Sequence, residues 1–360
     1  MGISSNAGYV QTVQGPIPPD QLGVTLTHEH LLIDQTVGGV YFMEPEAASD
    51  RILAHQPVSI ENLWWVRRHM KDNYDNQLLL DEHLAIHEAT QFKLWGGGTI
   101  VDQTNIGIGR DPRALVRISR ATGLNIVMGC GFYVDGPLTQ AERDAMMIDA
   151  FVARIVGDMT EGADGTRVKS GMIGELGCAW PLKPNERKVV QAGAVAQQQT
   201  GASINIHPGR HDEAPLEILD ILRSAGADLS RVVMSHMDRC GYALDTRLKL
   251  LDAGCFVEYD VFGFEGYYPA RVALSEGHMP DTPNDVGRVK EIRDLIDRGY
   301  LSQILMSHDI GMKMQLTKYG GWGYAHILRD VVPLMQVYGY THEEIDTLLI
   351  DNPKRLLTLV

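Results

Sequence analysis

His28 and His30, one residue apart in "GVTLTHEHLLID", close a run whose alternation reads as a strand. Side chains repeat every second residue along a strand, so both imidazoles leave the same face. Buried together, they must either bond to neighbours or hold something. Histidine and carboxylate recur where later apolar runs end: Glu175 in "MIGELG", His207 in "INIHPGR", His236 in "VVMSHMDR" and Asp309 in "SHDIGMK". A single histidine at a strand end is most often a hydrogen-bonded structural residue. Four imidazoles and two carboxylates, if those ends meet, are a ligand set large enough for two divalent ions. Zinc suits the mixed nitrogen and oxygen donors, and manganese, cobalt or iron would also accept them. A rival cluster, Glu82 with His83 and His87, sits on a helix but lacks the HExxH order and lies across from the apolar face. A solvated surface is expected there. His211, His278, His326 and His342 have no comparable company.

For the first set to meet, the chain must bring the ends of eight short runs into one layer. The runs are "GVTLTHEH", "GTIVDQTN", "LNIVMGCGFY", "RVKSGMIGELG", "ASINIHPG", "RVVMSHMD", "CFVEYDVFG" and "QILMSHD". Helical patterns separate them. "LDEHLAIHEATQFKLW" keeps Ala85, Ala89, Phe92 and Trp95 near one side. "RDPRALVRISRATG" opens on Asp111 as N-cap with Pro112 in the first turn and ends at Gly123. "NERKVVQAGAVAQQQTG", "APLEILDILRSAG" and "DVGRVKEIRDLIDRG" each close on a glycine suited to a helix end. Thr341 and Glu344 form a capping box before the last helix. Apolar strands alternating with helices predict a parallel sheet, and eight units predict closure into a (β/α)₈ TIM barrel. An open doubly wound sheet is disfavoured, because no GxGxxG turn follows the first strand. The expectation is one domain over 1–360, with an N-terminal β-hairpin in 1–22 and added helix near the barrel mouth in 37–76.

Composition narrows the partners. The chain has 360 residues, 44% hydrophobic and 22% charged, and a net charge of −14, which argues against nucleic acid or an anionic membrane surface. It does not exclude an anionic small molecule. No signal-peptide pattern opens the sequence and no apolar run reaches the roughly 18 residues of a membrane span. Cys130, Cys178, Cys240 and Cys255 are far apart and read as buried thiols of a reducing compartment, so a cytoplasmic enzyme is expected.

The residues justify a comparison. "GVTLTHEHLLID", "GFYVDGP", "MIGELGCAWPL", "INIHPGR", "VVMSHMDR", "EYDVFG", "SHDIGMK" and "KYGGWGYAHIL" resemble the phosphotriesterase family of the amidohydrolase superfamily, most closely its phosphotriesterase-related branch. The resemblance implies a barrel with two metals at the C-terminal strand ends. His28 and His30 would hold the more buried ion with Asp309, and His207 and His236 the outer one. Better-known members bridge the ions with a carbamylated lysine on the fourth strand, whereas this branch implies a glutamate. Lys169 and Glu175 share a strand face in this reading, but six residues span ~20 Å of extended chain, so only one reaches the mouth. The C-terminal end selects Glu175 and leaves Lys169 unmodified; a carboxylate is already anionic at neutral pH.

Two such ions would lower the pKa of a shared water, giving a nucleophile, and polarise a carbonyl or phosphoryl oxygen. Asp309 would move the proton to the leaving group. Arg210 and Arg239 each follow a ligand histidine by three residues and could clamp an anionic tail, or instead pair with Asp212, Glu213 or Asp238. Tyr133 could bond a substrate oxygen or simply pack, and Asp260 could orient a histidine. In the lactonases an arginine usually follows that aspartate, whereas here Val261 does. The mammalian branch is associated with hydrolysis of N-acetyltaurine, a small amide bearing a sulfonate. The expected activity is hydrolysis of a small N-acyl amino acid or N-acyl amino sulfonate. The alternatives are a lactonase, carboxylesterase or organophosphate triesterase on the same metals, or a non-catalytic small-molecule binding protein. A homodimer is compatible with the family, and Trp322 is expected to be exposed near the mouth.

Overall fold

The computed structural model describes residues 6–37, 42–134, 142 and 145–360. The tip of "GFYVDGP" and residues 38–41 of the 37–76 segment lie outside the described residues. Two short strands, β1 (Val10–Thr12) and β2 (Gly15–Ile17), pair antiparallel with Val10 opposite Ile17. They precede β3 (Val24–Glu29), and a second small pair, β4 (Ile33–Asp34) and β5 (Leu78–Leu79), flanks the segment at the mouth. Seven further strands follow: β6 (Gly97–Asp102), β7 (Asn125–Cys130), β8 (Met172–Gly177), β9 (Ile204–His207), β10 (Val232–Met234), β11 (Phe256–Tyr259) and β12 (Ile304–Met306).

These seven and β3 form one eight-stranded sheet in the order β12-β11-β10-β9-β8-β7-β6-β3, parallel throughout. Across the remaining seam, His28 N–H donates to Ser307 Oγ at 3.0 Å and Asp309 N–H donates to His28 O at 3.2 Å. The expected (β/α)₈ barrel is the architecture found. Lys169 lies before β8 rather than on it, because the ladder begins at Met172; the extended-strand comparison with Glu175 therefore does not apply.

The period of two sorts the barrel interior into levels. Val101, Val127, Met172, Val233, Phe256 and Leu305 form a fully buried apolar layer that Val10 of the hairpin also joins. Burying Phe256 or Leu305 there contributes about 1.5–3 kcal/mol. Two residues farther along β11 and β12 stand Glu258 and Ser307, and two more bring Asp260 and Asp309. Apolar plug, polar layer and candidate ligands thus succeed one another towards the C-terminal strand ends.

The helices form where their signals lie. Asp111 accepts from the N–H groups of Arg113 and Ala114, and Gly123 ends Pro112–Thr122 at φ 68°. Gly201 ends Pro184–Thr200 in the same left-handed way. After Glu213–Ser224 and Asp285–Asp297 the left-handed glycines, Gly226 and Gly299, come one residue past the caps Ala225 and Arg298. Thr341 and Glu344 make the capping box in both directions. The mouth segment carries the short helices Ala48–Ala54 and Leu63–Val66, whose Ala54, Leu63, Trp65 and Val66 pack with Met70 and Met314. No helix among the described residues is long and apolar enough to cross a membrane. Cys130, Cys178 and Cys255 are buried, whereas Cys240 is only half-buried.

Candidate metal centre

Each ring of the predicted set is fixed by one nitrogen and presents the other inward. His28 Nδ1 donates to Glu258 Oε2 at 3.2 Å and lies 3.2 Å from Ser235 Oγ. His30 Nδ1 meets the Thr104 hydroxyl at 2.9 Å. His236 Nδ1 donates to Asp260 Oδ1 at 2.7 Å, as expected of an orienting acceptor, while Asp260 Oδ2 takes the His236 backbone N–H at 3.0 Å. His207 Nε2 accepts from Arg239 Nη2 at 3.1 Å.

The inward nitrogens surround Glu175. Its Oε2 is 2.9 Å from His207 Nδ1, 3.4 Å from His236 Nε2 and 3.5 Å from His28 Nε2, and its Oε1 is 3.5 Å from His30 Nε2. Two groups of three with ligand atoms close enough for one ion, His28–His30–Glu175 and Glu175–His207–His236, share this carboxylate; a third is His28–His236–Asp260. Asp309 stands at the rim with its side chain 25% exposed, Oδ1 lying 3.2 Å from His30 Nε2 and 3.8 Å from His28 Nε2. Backbone geometry is specialised here. His236 and Asp309 sit at φ 60° and 50°, left-handed conformations that cost a non-glycine residue about 1–2 kcal/mol. Gly174, just before Glu175, is at φ 141°, and a Cβ there would lie 2.6 Å from Asn205 O.

Electrostatics divides the cluster. Burial pulls the His30 imidazole down, but Asp309 and Glu175 beside it carry it up to about 9. Burial pulls His28 down as well, but Glu175, Glu258 and Asp260 together raise it well above its ordinary value. His207 and His236 are held well below theirs by burial and then by Arg239. Burial pushes Glu175 up, yet the charges of His28 and His207 bring it well below the usual carboxylate range. Two imidazoles are thus drawn towards a cation and two are drawn towards the neutral form. A divalent ion answers both halves, replacing the proton on one and accepting the lone pair of the other. The donor set fits such ions: His28 Nε2 is buried and has no hydrogen-bond partner among the described residues.

The pocket at this cluster has a volume of about 60 Å³ and is lined by His30, Glu175, His207 and Asp309 together with Lys71, Arg210, Arg239, Tyr133 and Tyr268. Tyr133 OH lies 3.2 Å from His207 Nδ1. Arg239 is 2% exposed and donates to Pro208 O, and the Arg210 guanidinium lies 4.8 Å from the Tyr268 ring centroid. Two of the three suggested acidic partners are engaged elsewhere: Asp238 accepts from Arg288 Nε at 2.7 Å, and Asp212 from Ala243 N–H and Thr246 Oγ1.

Some placements differ from the sequence reading. His326 does have company, standing 2.7 Å from both Asp285 and Asp330 and raised in pKa by them against burial. His83 and His87 are exposed, and Glu82 pairs with Arg117. Trp322 is half-buried, and a Cβ on Gly263 would lie 2.4 Å from its ring. Glu258, Thr104 and Lys71 were not anticipated. Glu258 had a signal, since it alternates with Asp260 and is an acid in the middle of a buried strand; the other two had none.

Residues 8–357 match the model of the phosphotriesterase family. The chain belongs to that family of hydrolytic enzymes. It is 44% identical over 357 residues to an N-acetyltaurine hydrolase from Xenopus tropicalis, covering 99% of each chain. A resiniferatoxin-binding protein from Rhodobacter sphaeroides superposes with a TM-score of 0.92 at 36% identity, covering 99% of this chain and 97% of the other. A lactonase from Listeria monocytogenes gives 0.76 at 25% identity, covering 98% and 99%.

Proposed function

We propose that this phosphotriesterase-family enzyme is a binuclear metal-dependent amide hydrolase acting on a small N-acyl amino acid or N-acyl amino sulfonate. The observation that carries the reading is one buried carboxylate, Glu175, shared by two ligand groups in a pocket that also holds Lys71, Arg210 and Arg239. His28, His30 and Asp309 would hold one ion, His207 and His236 the other, with Glu175 between them. Zinc is the first choice for this donor set. When bound, such ions supply Lewis acidity towards a carbonyl oxygen and make water acidic enough to act near neutral pH.

The chain's own residues supply the rest. Asp309, partly open to solvent, can take a proton from water and give it to the departing amine. Tyr133 can donate to a substrate oxygen, and the guanidinium groups can fix an anionic tail, so that the amide is presented in one orientation. The name of the Xenopus relative supports an N-acyl sulfonate as substrate. The lactonase relative keeps a second reading in view, in which the same cluster opens a lactone.

Metal analysis followed by a substrate panel tests the proposal. The expected result is divalent metal bound by the protein, turnover of N-acetyltaurine or an N-acetyl amino acid, and its loss on chelation. Faster turnover of a lactone or a nitrophenyl phosphotriester would replace the amide reading. Metal-loaded protein that hydrolyses none of the panel would favour a binding protein.

A further inference from the structure

Lys71 belongs to the mouth segment rather than to any barrel strand, yet it is only 8% exposed and lines the same pocket as Arg210 and Arg239. The three cations arrive on three separate stretches of chain: Lys71 before β5, Arg210 after β9 and Arg239 after β10. Burial, and then the two guanidinium groups, hold the Lys71 ammonium well below its ordinary pKa. Three cationic side chains around one pocket raise the local positive potential and favour an anion there. Arg239 is anchored by Pro208 O and His207, and Arg210 lies against the Tyr268 ring, so both arginines are positioned before a ligand arrives.

We infer that Lys71, Arg210 and Arg239 form a three-cation subsite for a tetrahedral head with three terminal oxygens, a sulfonate, and that Lys71 sets the preference for it over a planar carboxylate. This rests on the reading that a small anionic substrate enters the pocket. A carboxylate offers two oxygens in one plane, which a guanidinium can match alone. A sulfonate directs three oxygens along three directions, and donors approaching from three segments suit it. Lys71 is the specificity-determining residue because it adds the third direction, its point charge needing no planar match.

The test compares pentane-1-sulfonate with hexanoate, non-hydrolysable anions that differ in the head group, by calorimetry on the full-length, metal-loaded protein. Wild type is expected to prefer the sulfonate by about tenfold, the worth of one charge-assisted hydrogen bond. Lys71→Met should bring the two affinities within about threefold, while Lys71→Arg retains the preference. Thermal melts and metal content identify variants that fold. The ratio of two ligands on one protein is insensitive to the fraction folded. Equal affinities in wild type, or an unchanged ratio in Lys71→Met, overturn the inference. Sulfonate preference without hydrolysis of N-acetyltaurine or of any N-acetyl amino acid would sink the hydrolase proposal and leave the subsite standing; hydrolysis without the preference would do the reverse.

Discussion

Glu29 and Glu175 are both buried carboxylates of the barrel, and their company differs. Glu29, between the two histidines of the first strand, accepts from Ser307 Oγ at 2.8 Å, His308 N–H at 2.9 Å, His308 Nδ1 at 2.7 Å and Ile310 N–H at 3.0 Å. The other nitrogen of His308 accepts the Ile327 N–H at 3.1 Å, so both ring positions are used and the ring is a fixed strut. Glu175 meets four imidazoles, and one of them, His28, leaves Nε2 unmatched. The difference teaches how to separate architecture from chemistry in a buried polar layer. A carboxylate satisfied by backbone and hydroxyl donors holds a loop in place; one ringed by imidazole nitrogens is a site for cations. Here the first kind supports the second, because Glu29 fixes the residues on both sides of Asp309.

Substitutions can break this contrast. The largest effect is expected from Glu175→Gln, which keeps the shape and removes the charge. It should lower kcat/KM by more than ~100-fold, beyond the usual effect of residues that only orient ligands, and metal content should fall with it. A variant that retained both metal and activity would show that the shared carboxylate is no ligand. Glu29→Gln should cost about 2–3 kcal/mol in urea unfolding, because it weakens several buried charge-assisted bonds at once. Metal stoichiometry should persist in the folded fraction; its loss without destabilisation would reverse the assignment of the two glutamates.

His326 offers a smaller and pH-dependent case, an imidazole held between Asp285 and Asp330. Its folded pKa is raised by those acids, so its contribution is fully present below about pH 6.5 and is lost as pH rises through the folded value. His326→Gln should therefore destabilise by about 1–2 kcal/mol in mild acid and by less at alkaline pH, as urea titrations at the two conditions would measure. A constant difference would mean that the ring acts by packing.

Much of this was legible in the sequence, for particular reasons. The eight strands announce themselves because each is buried on both faces and ends in a turn, and His28, His30, His207 and His236 mark those ends. Glu258 was legible in principle but overlooked beside Asp260. Thr104 orients His30 across 74 residues of sequence, which no local pattern encodes. Lys71 reaches the pocket only because Leu63, Trp65, Val66 and Met70 pack the mouth segment against Met314. The acids that hold His326 are 41 residues before it and 4 after it, and only the first requires the fold.

The seam between β3 and β12 has a further meaning. His28 and Ser307, bonded there, are 279 residues apart, and Asp309 binds the main chain of His28 beside them. During synthesis the proposed ligands of the early strands exist long before Asp309, their last proposed companion, is made. If these residues hold metal as proposed, a full coordination shell can assemble only once the final strand has docked, and acquiring metal would report that the ring is complete.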